Sequence, residues 1–292
     1  QTEEAFGSAW SVCDGESARQ FSCTGYLFGR ALQPRINVPI GLIYAAVGGT
    51  PAESWVSPDV IRSRPELHGV ADRFEKTVAS FPAAQAAYEK RLSEWQQKRK
   101  AGEKVGRRPK PPMGPNHIKR PSGLFHQMIA PLQRFRIKGA IWYQGESNAG
   151  RPEEYRTLFP ALITSWREQW DQGDFPFLFV QLAAFHNAHP TPRDAQWPWL
   201  REAQTEALKL PNTGMAVAIE AGHQTNIHPP KKPLVAERLA LAALRVAYGQ
   251  DVLAAGPTLK RMTVRGREAI IEFDHVAEGL VAKGIDLDGH EL

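Results

Sequence analysis

The chain has little with which to build a covalent or metal-held framework. Its two cysteines, Cys13 and Cys23, have no second pair and no metal-type spacing. They either form one disulfide in an oxidising compartment or stay as two thiols, and the sequence leaves both open. His186 and His189, in "FHNAHPTP", form a weak metal-like pair that reads instead as solvated loop residues, so no metal is expected. No cofactor motif stands out. No apolar run approaches the roughly 18 to 20 residues of a membrane-spanning helix. Internal repeats and a signal peptide are both missing, and the chain starts at Gln1 rather than Met. That beginning is expected of a processed or shortened polypeptide whose targeting segment has been lost.

What is present is the composition of a soluble globular protein. Hydrophobic residues make up 42% of 292 positions and charged residues 23%, enough for one large α/β domain or one domain with a small appendage. The net charge of +5 is concentrated in "KRLSEWQQKRKAGEKVGRRPKPP", Lys90 to Pro112. Such a run reads as a solvated helix end and loop, so no nucleic-acid partner is expected.

Along the chain, helical and strand-like patterns alternate. "QFSCTGYLFGRALQ" has helical spacing and precedes a β-rich run, "NVPIGLIYAAVGGTPAESW". Helix-favouring residues then extend from about Asp72 to Lys100, interrupted at Pro82, and break into a Pro/Gly/Lys/Arg stretch up to Pro121. Residues 66–120 therefore read as an insertion, a helical hairpin with a loose basic tip. "SGLFHQMIAPLQRF" reads as a helix, "KGAIWYQGESNAG" as a strand with a polar end, and "PEEYRTLFPALITSWREQW" as an amphipathic helix. "FPFLFVQLA" and "TGMAVAIEAG" read as strands; "REAQTEALKL" and "KPLVAERLALAALRVAYG" read as helices. This alternation predicts a parallel sheet covered on both faces. After Gly256 the period changes to two, as in the start of an antiparallel β module over 257–292 that follows a main domain of 1–256.

Ligands of an open parallel sheet bind beyond the carboxyl ends of its strands. Three segments end strands with suitable groups. Gly48 and Gly49, followed by Thr50, allow close backbone approach and N–H donation to an anion, or else form a plain turn. Gln144, Gly145, Glu146 and Asn148 offer amide and carboxylate groups, with Asn148 equally able to cap a helix. His228, held by Pro229 before the last helix, is placed to act as a general base. Trp142 reads as core, whereas Trp55, just after the Gly turn, reads as a sugar platform.

These blocks resemble, in order, those of the sialate O-acetylesterase family, carbohydrate acetylesterases of the SGNH-hydrolase superfamily. The resemblance runs from about Phe21 to Tyr248. It implies a three-layer α/β/α, flavodoxin-like core, metal-free hydrolysis of acetylated carbohydrate by a serine and a histidine, and a secreted or periplasmic location. By motif, Gly48, Gly49 and Gln144 to Asn148 fall in the oxyanion and substrate blocks and His228 is the base. In two places the chain departs from the family pattern. A Gly-Gln-Ser-Asn-Met-like nucleophile turn is absent, so the serine is expected upstream or on a second chain. Thr225 stands three residues before His228, where such enzymes carry Asp, which leaves Glu220 or a backbone carbonyl to orient the imidazole. Two other readings remain: a non-catalytic carbohydrate-binding protein on the same fold, and a hydrolase of another ester.

Overall fold

The computed structural model describes residues 9–186 and 195–280. His189 lies outside them. At the centre is a three-stranded parallel sheet in the order β1 (Ala140–Trp142), β2 (Phe177–Gln181), β3 (Thr213–Val217). Register pairs Ile141 with Leu178 and Phe179 with Met215. All five residues of β2 are buried. Phe177 and Phe179 point into one core cluster, while Leu178 and Val180 point into another. A strand whose alternate side chains both find apolar cover is the middle layer of three.

The first cover is α5 (Pro152–Trp170), which starts on proline, where the missing N–H costs nothing, and ends at Asp171 in the left-handed conformation (φ 49°). Its Tyr155, Leu158, Phe159, Leu162 and Trp166 are buried at helical spacing. Phe159 sits 5.0 Å from the Phe179 ring, edge on, and 5.3 Å from Tyr155; Trp142 meets Trp166 edge on at 5.8 Å. Buried Arg167 donates from Nε to the Phe175 carbonyl at 3.1 Å and from Nη2 to the Pro211 carbonyl at 2.8 Å, fastening the loops that enter β2 and β3. The second cover is α2 (Cys23–Ile36) against α7 (Lys232–Tyr248), which bury Phe28, Leu32, Val235, Leu239 and Ala243. The expected three-layer α/β/α architecture is what the chain adopts.

Elsewhere the structure corrects the sequence reading. Helix α4 (His68–Lys100) runs without a break through Pro82. Upstream of the proline, Thr77 Oγ1 donates to the Arg73 carbonyl at 2.8 Å and Ser80 Oγ to that of Thr77 at 3.0 Å. The return leg, 101–121, is not a second helix and is not loose. Trp95 Nε1 donates to the Gly106 carbonyl at 2.8 Å, and Gly114 lies so close beneath Phe81 that a Cβ would meet its ring at 2.8 Å. Proline also reshapes "FHQMIAPL", which forms a π turn at Phe125–Ile129 and a 3-10 turn at Ala130–Leu132 in place of a regular helix. Residues 38–47, read as β-rich, pair with no strand among the described residues. Cys13 and Cys23 are exposed free thiols. Strands β4 (Thr258–Arg265) and β5 (Glu268–Asp274) form the antiparallel hairpin that the period-two pattern predicts. No described helix is long and apolar enough to cross a membrane.

The aromatic cluster sets a stability test. Phe159→Ala should cost about 3 to 5 kcal/mol in urea unfolding, whereas Lys90→Ala on the exposed face of α4 should change it by less than about 0.5 kcal/mol.

Candidate active site

The segment after β1 is shaped first by Gly145. Its φ is 155°, and a Cβ there would lie 3.0 to 3.1 Å from the Leu200 and Leu182 side chains, so only glycine fits. The chain then makes one 3-10 turn, Glu146–Asn148.

This turn is stapled to the Gly loop from below. Gln144 Nε2 donates to the Thr50 carbonyl at 3.1 Å and to Asn148 Oδ1 at 2.7 Å, and its Oε1 accepts from the Tyr155 hydroxyl at 3.2 Å. Asn148 Oδ1 also accepts the Ala52 N–H at 2.9 Å, while its Nδ2 donates to Glu53 Oε2 at 2.8 Å. The other Glu53 oxygen accepts from Arg151 at 2.8 Å. Glu53 is only 7% exposed, so the carboxylate is sustained by these two donors. Thr50 Oγ1 donates to the Val47 carbonyl at 2.7 Å and accepts from Trp55 Nε1 at 3.0 Å, and the Trp55 carbonyl accepts from Trp166 Nε1 at 2.8 Å.

Four assignments change as a result. Both amide hydrogens of Gln144 are already engaged, which leaves none for an oxyanion. Asn148 is a buried junction rather than a helix cap or a substrate donor. Thr50 locks the turn. Trp55 is 3% exposed and packs edge on against Trp142 at 6.0 Å, so it holds the loop and offers no face to a sugar. Trp142 is core, as the sequence indicated. Gly48 and Gly49, by contrast, are exposed. Gly49 has φ 67°, and neither N–H has a backbone partner among the described residues.

The third loop follows β3. Gly222 packs directly onto Ala184, where a Cβ would meet the Ala184 carbonyl oxygen at 2.1 Å, and His223 makes a parallel bridge with Phe185. His223 Nδ1 accepts the N–H groups of Thr225 at 3.2 Å and Asn226 at 3.1 Å; Asn226 Oδ1 then accepts the His228 N–H at 2.9 Å. This chain of short-range bonds presents His228 on the surface. Glu220 does not orient it: its carboxylate pairs with Arg238, which holds it below the ordinary carboxylate range. The carboxylate that feels the His228 charge is Glu146. Burial pushes the Glu146 carboxyl up, against the opposing pull of Lys232 and His228. Lys232 lies 4.8 Å from the centre of the Tyr143 ring and is itself pushed down by burial. The segment 143–151 thus touches the Gly loop through Gln144, and its Glu146 lies within the electrostatic reach of Lys232 and His228.

Among the described residues, no serine or cysteine side chain is hydrogen-bonded to a histidine. The serines near the chain start have other duties: Ser17 completes a capping box on α1 (Gly15–Gln20), and Ser22 caps α2. No described group of three or more His, Cys, Asp or Glu residues is arranged to hold a metal.

A profile described as "Carbohydrate esterase, sialic acid-specific acetylesterase" matches residues 11–245. The chain belongs to this family. Sialate O-acetylesterase of Rattus norvegicus is 33% identical over 290 residues, covering 88% of this chain and 48% of that protein. The Homo sapiens sialate O-acetylesterase is 30% identical over 284 residues, 91% of this chain and 47% of its own. The chain therefore spans about half the length of these relatives. A solved carbohydrate acetylesterase from Xanthomonas citri superposes with a TM-score of 0.71 at 31% identity, covering 98% of this chain and 57% of that one.

Within this family site, the sequence reading missed Glu53, Arg151, His223 and Lys232. Glu53 was hidden in plain view inside "PAESW", where an acid between two small residues gives no sign of burial. The network sets two expectations. Glu53→Ala strands the Asn148 amide and the Arg151 guanidinium and should cost about 3 to 5 kcal/mol in urea unfolding, with Glu53→Gln less severe. For Glu146, the folded carboxyl lies above its ordinary value of 4.5, so ionising it costs stability as pH rises past that value. Glu146→Gln should match the native protein below about pH 4, gain on it as pH rises from there through the raised folded value of the carboxyl, and hold a constant advantage above it, read from thermal unfolding across pH.

Proposed function

We propose that this protein hydrolyses O-acetyl esters on sugars by the serine–histidine route of an SGNH hydrolase, with His228 as base and then acid. The observation that carries this reading is the exposure of two groups, the His228 imidazole in the loop beyond β3 and the Gly48–Gly49 turn, whose neighbour Thr50 is held by Gln144 from beyond β1. The names of the relatives, sialate O-acetylesterases and a carbohydrate acetylesterase, support the same substrate class.

In this scheme a serine hydroxyl adds to the acetyl carbonyl as His228 takes its proton. The Gly48 and Gly49 N–H groups meet the negative oxygen of the tetrahedral intermediate, replacing Gln144 in that role. His228 returns the proton to the departing sugar oxygen, and water then releases acetate from the serine by the same steps in reverse. In this scheme the attacking serine comes from outside the 292 residues. Glu146 replaces Glu220 as the carboxylate facing the base. A secreted or periplasmic location completes the proposal and rests on the family resemblance.

A second reading, a sugar-binding protein on the same fold without hydrolysis, is separated from the first by one assay. The full-length protein containing these residues should hydrolyse p-nitrophenyl acetate, with rates falling steeply beyond two or three acyl carbons. His228→Ala should lower turnover by about 10² to 10⁴-fold with an unchanged unfolding midpoint, since the ring is exposed and only its backbone N–H is bonded. No turnover by the full-length protein would select the binding reading.

A further inference from the structure

A second opening lies at the same end of the sheet as the loops above. Helix α5 follows β1 and α6 (Gln196–Thr205) follows β2, so both helices start beyond the carboxyl ends of their strands. Between those starts is an open cleft of about 450 Å³, lined by Pro152, Glu153, Ala195, Gln196 and Trp199. Its origin lies in the apolar stripe of α6. Leu200 and Ala203 are fully buried in the core cluster that α5 also enters. One turn nearer the helix start, the stripe runs out of cover. Trp199 is left 43% exposed, and Gln196, three positions back on the same face, is exposed as well.

The lining suits a pyranose ring. A tryptophan face is a flat apolar platform for the C–H face of a sugar. The Glu153 carboxylate accepts from hydroxyls, and the Gln196 amide both donates and accepts. Among the described residues that amide has no hydrogen-bond partner. The same lining does not suit an anion. Arg156, which meets Glu153 at 3.4 Å, is shared with Glu202 at 3.1 Å and Glu206 at 3.3 Å, so carboxylates already outnumber it. That balance disfavours a charged sugar and admits a neutral one. The cleft is also joined to the segment 143–151. A Gly150 Cβ would lie 3.8 Å from Gln196 Oε1, so the amide rests against the end of that segment. Asn148 and Arg151, on either side of Gly150, are the residues that grip Glu53. A ligand in the cleft therefore bears on a wall whose place is already fixed.

We infer that Trp199, Gln196 and Glu153 form an accessory subsite for a neutral sugar unit of a longer glycan, a unit that does not itself carry the scissile ester. This deepens the esterase reading and rests on it for its purpose: the cleft holds the chain while the groups at Gly48–Gly49 and His228 act on the acetyl ester. Trp199 supplies the platform that the sequence placed at Trp55, from a helix where no motif draws attention to it. The protein thus gains affinity for its substrate at a place set apart from the reacting groups.

The test is titration calorimetry of the full-length protein with four unacetylated neutral probes, xylotetraose, cellotetraose, mannotetraose and chitotetraose. At least one should bind the native protein. Trp199→Ala should weaken that binding about tenfold or more, and Trp199→Phe should keep part of it. Gln196→Ala, an exposed change that carries the test if Trp199→Ala fails to fold, should weaken it by a smaller factor. Binding of none of the four, or equal affinity in the native protein and both alanine variants, would overturn the inference. Tighter binding of tetragalacturonic acid than of any neutral probe would overturn the neutral class. On the acetylated form of the bound tetraose, Trp199→Ala should raise KM about tenfold with little change in kcat. A fall in kcat with KM unmoved would place Trp199 among the reacting groups and overturn the accessory role. A native protein with no turnover of p-nitrophenyl acetate would instead sink the esterase reading, while the sugar titrations would still decide the cleft.

Discussion

The hydrogen bond from the Asn148 amide to the buried Glu53 carboxylate is the constraint on which the site depends. A carboxylate withdrawn from water survives only if its oxygens are met by donors of fixed geometry. Asn148 and Arg151 supply them from one segment, while Glu53 and the Ala52 N–H belong to the other. Each segment holds only a single 3-10 turn, too short a ladder to define its path. Their mutual bonds replace that ladder, and Gln144 extends the lock to the tyrosine of α5.

The polar residues of these loops divide into two sets by what they have left to give. Thr50, Gln144, Asn148 and Glu53 have spent their hydrogen-bonding capacity inside the protein. Gly48, Gly49 and His228 have not, and all of them reach solvent. Groups held ready at a surface must be positioned by others that are not free, because an unsatisfied donor that moves gains nothing over water. The division explains why residues of obvious chemical promise turn out to be supports.

Much of the fold was legible. The alternation of strand and helix, the buried character of "FPFLFVQLA" and the hairpin after Gly256 follow from periodicity, which records a side chain's neighbours directly. The three loops were legible too, because strand ends are where a parallel sheet exposes backbone. Roles within them were not. Gln144 at a strand end looks the same whether it faces a ligand or the Thr50 carbonyl, and Trp55 after a Gly turn looks exposed until Trp142 and Trp166 are set around it. Partners such as Glu53 for Asn148 are separated by 95 positions, and no local pattern encodes that meeting. Pro82 misled for a related reason: it removes one hydrogen bond from the ladder, and whether the other turns of a helix from His68 to Lys100 outweigh that loss is not a local property.

The long helix α4 and its return leg have a consequence for how such a protein diversifies. The arm is clasped along its length by Trp95 and Phe81 and anchored again at Ser54, so its far end is mechanically insulated from its root. Changes at the tip, around Gly102, can accumulate without disturbing the bond to Ser54 at the root. A protein engineer thus has a ready point of attachment that leaves the crevice alone.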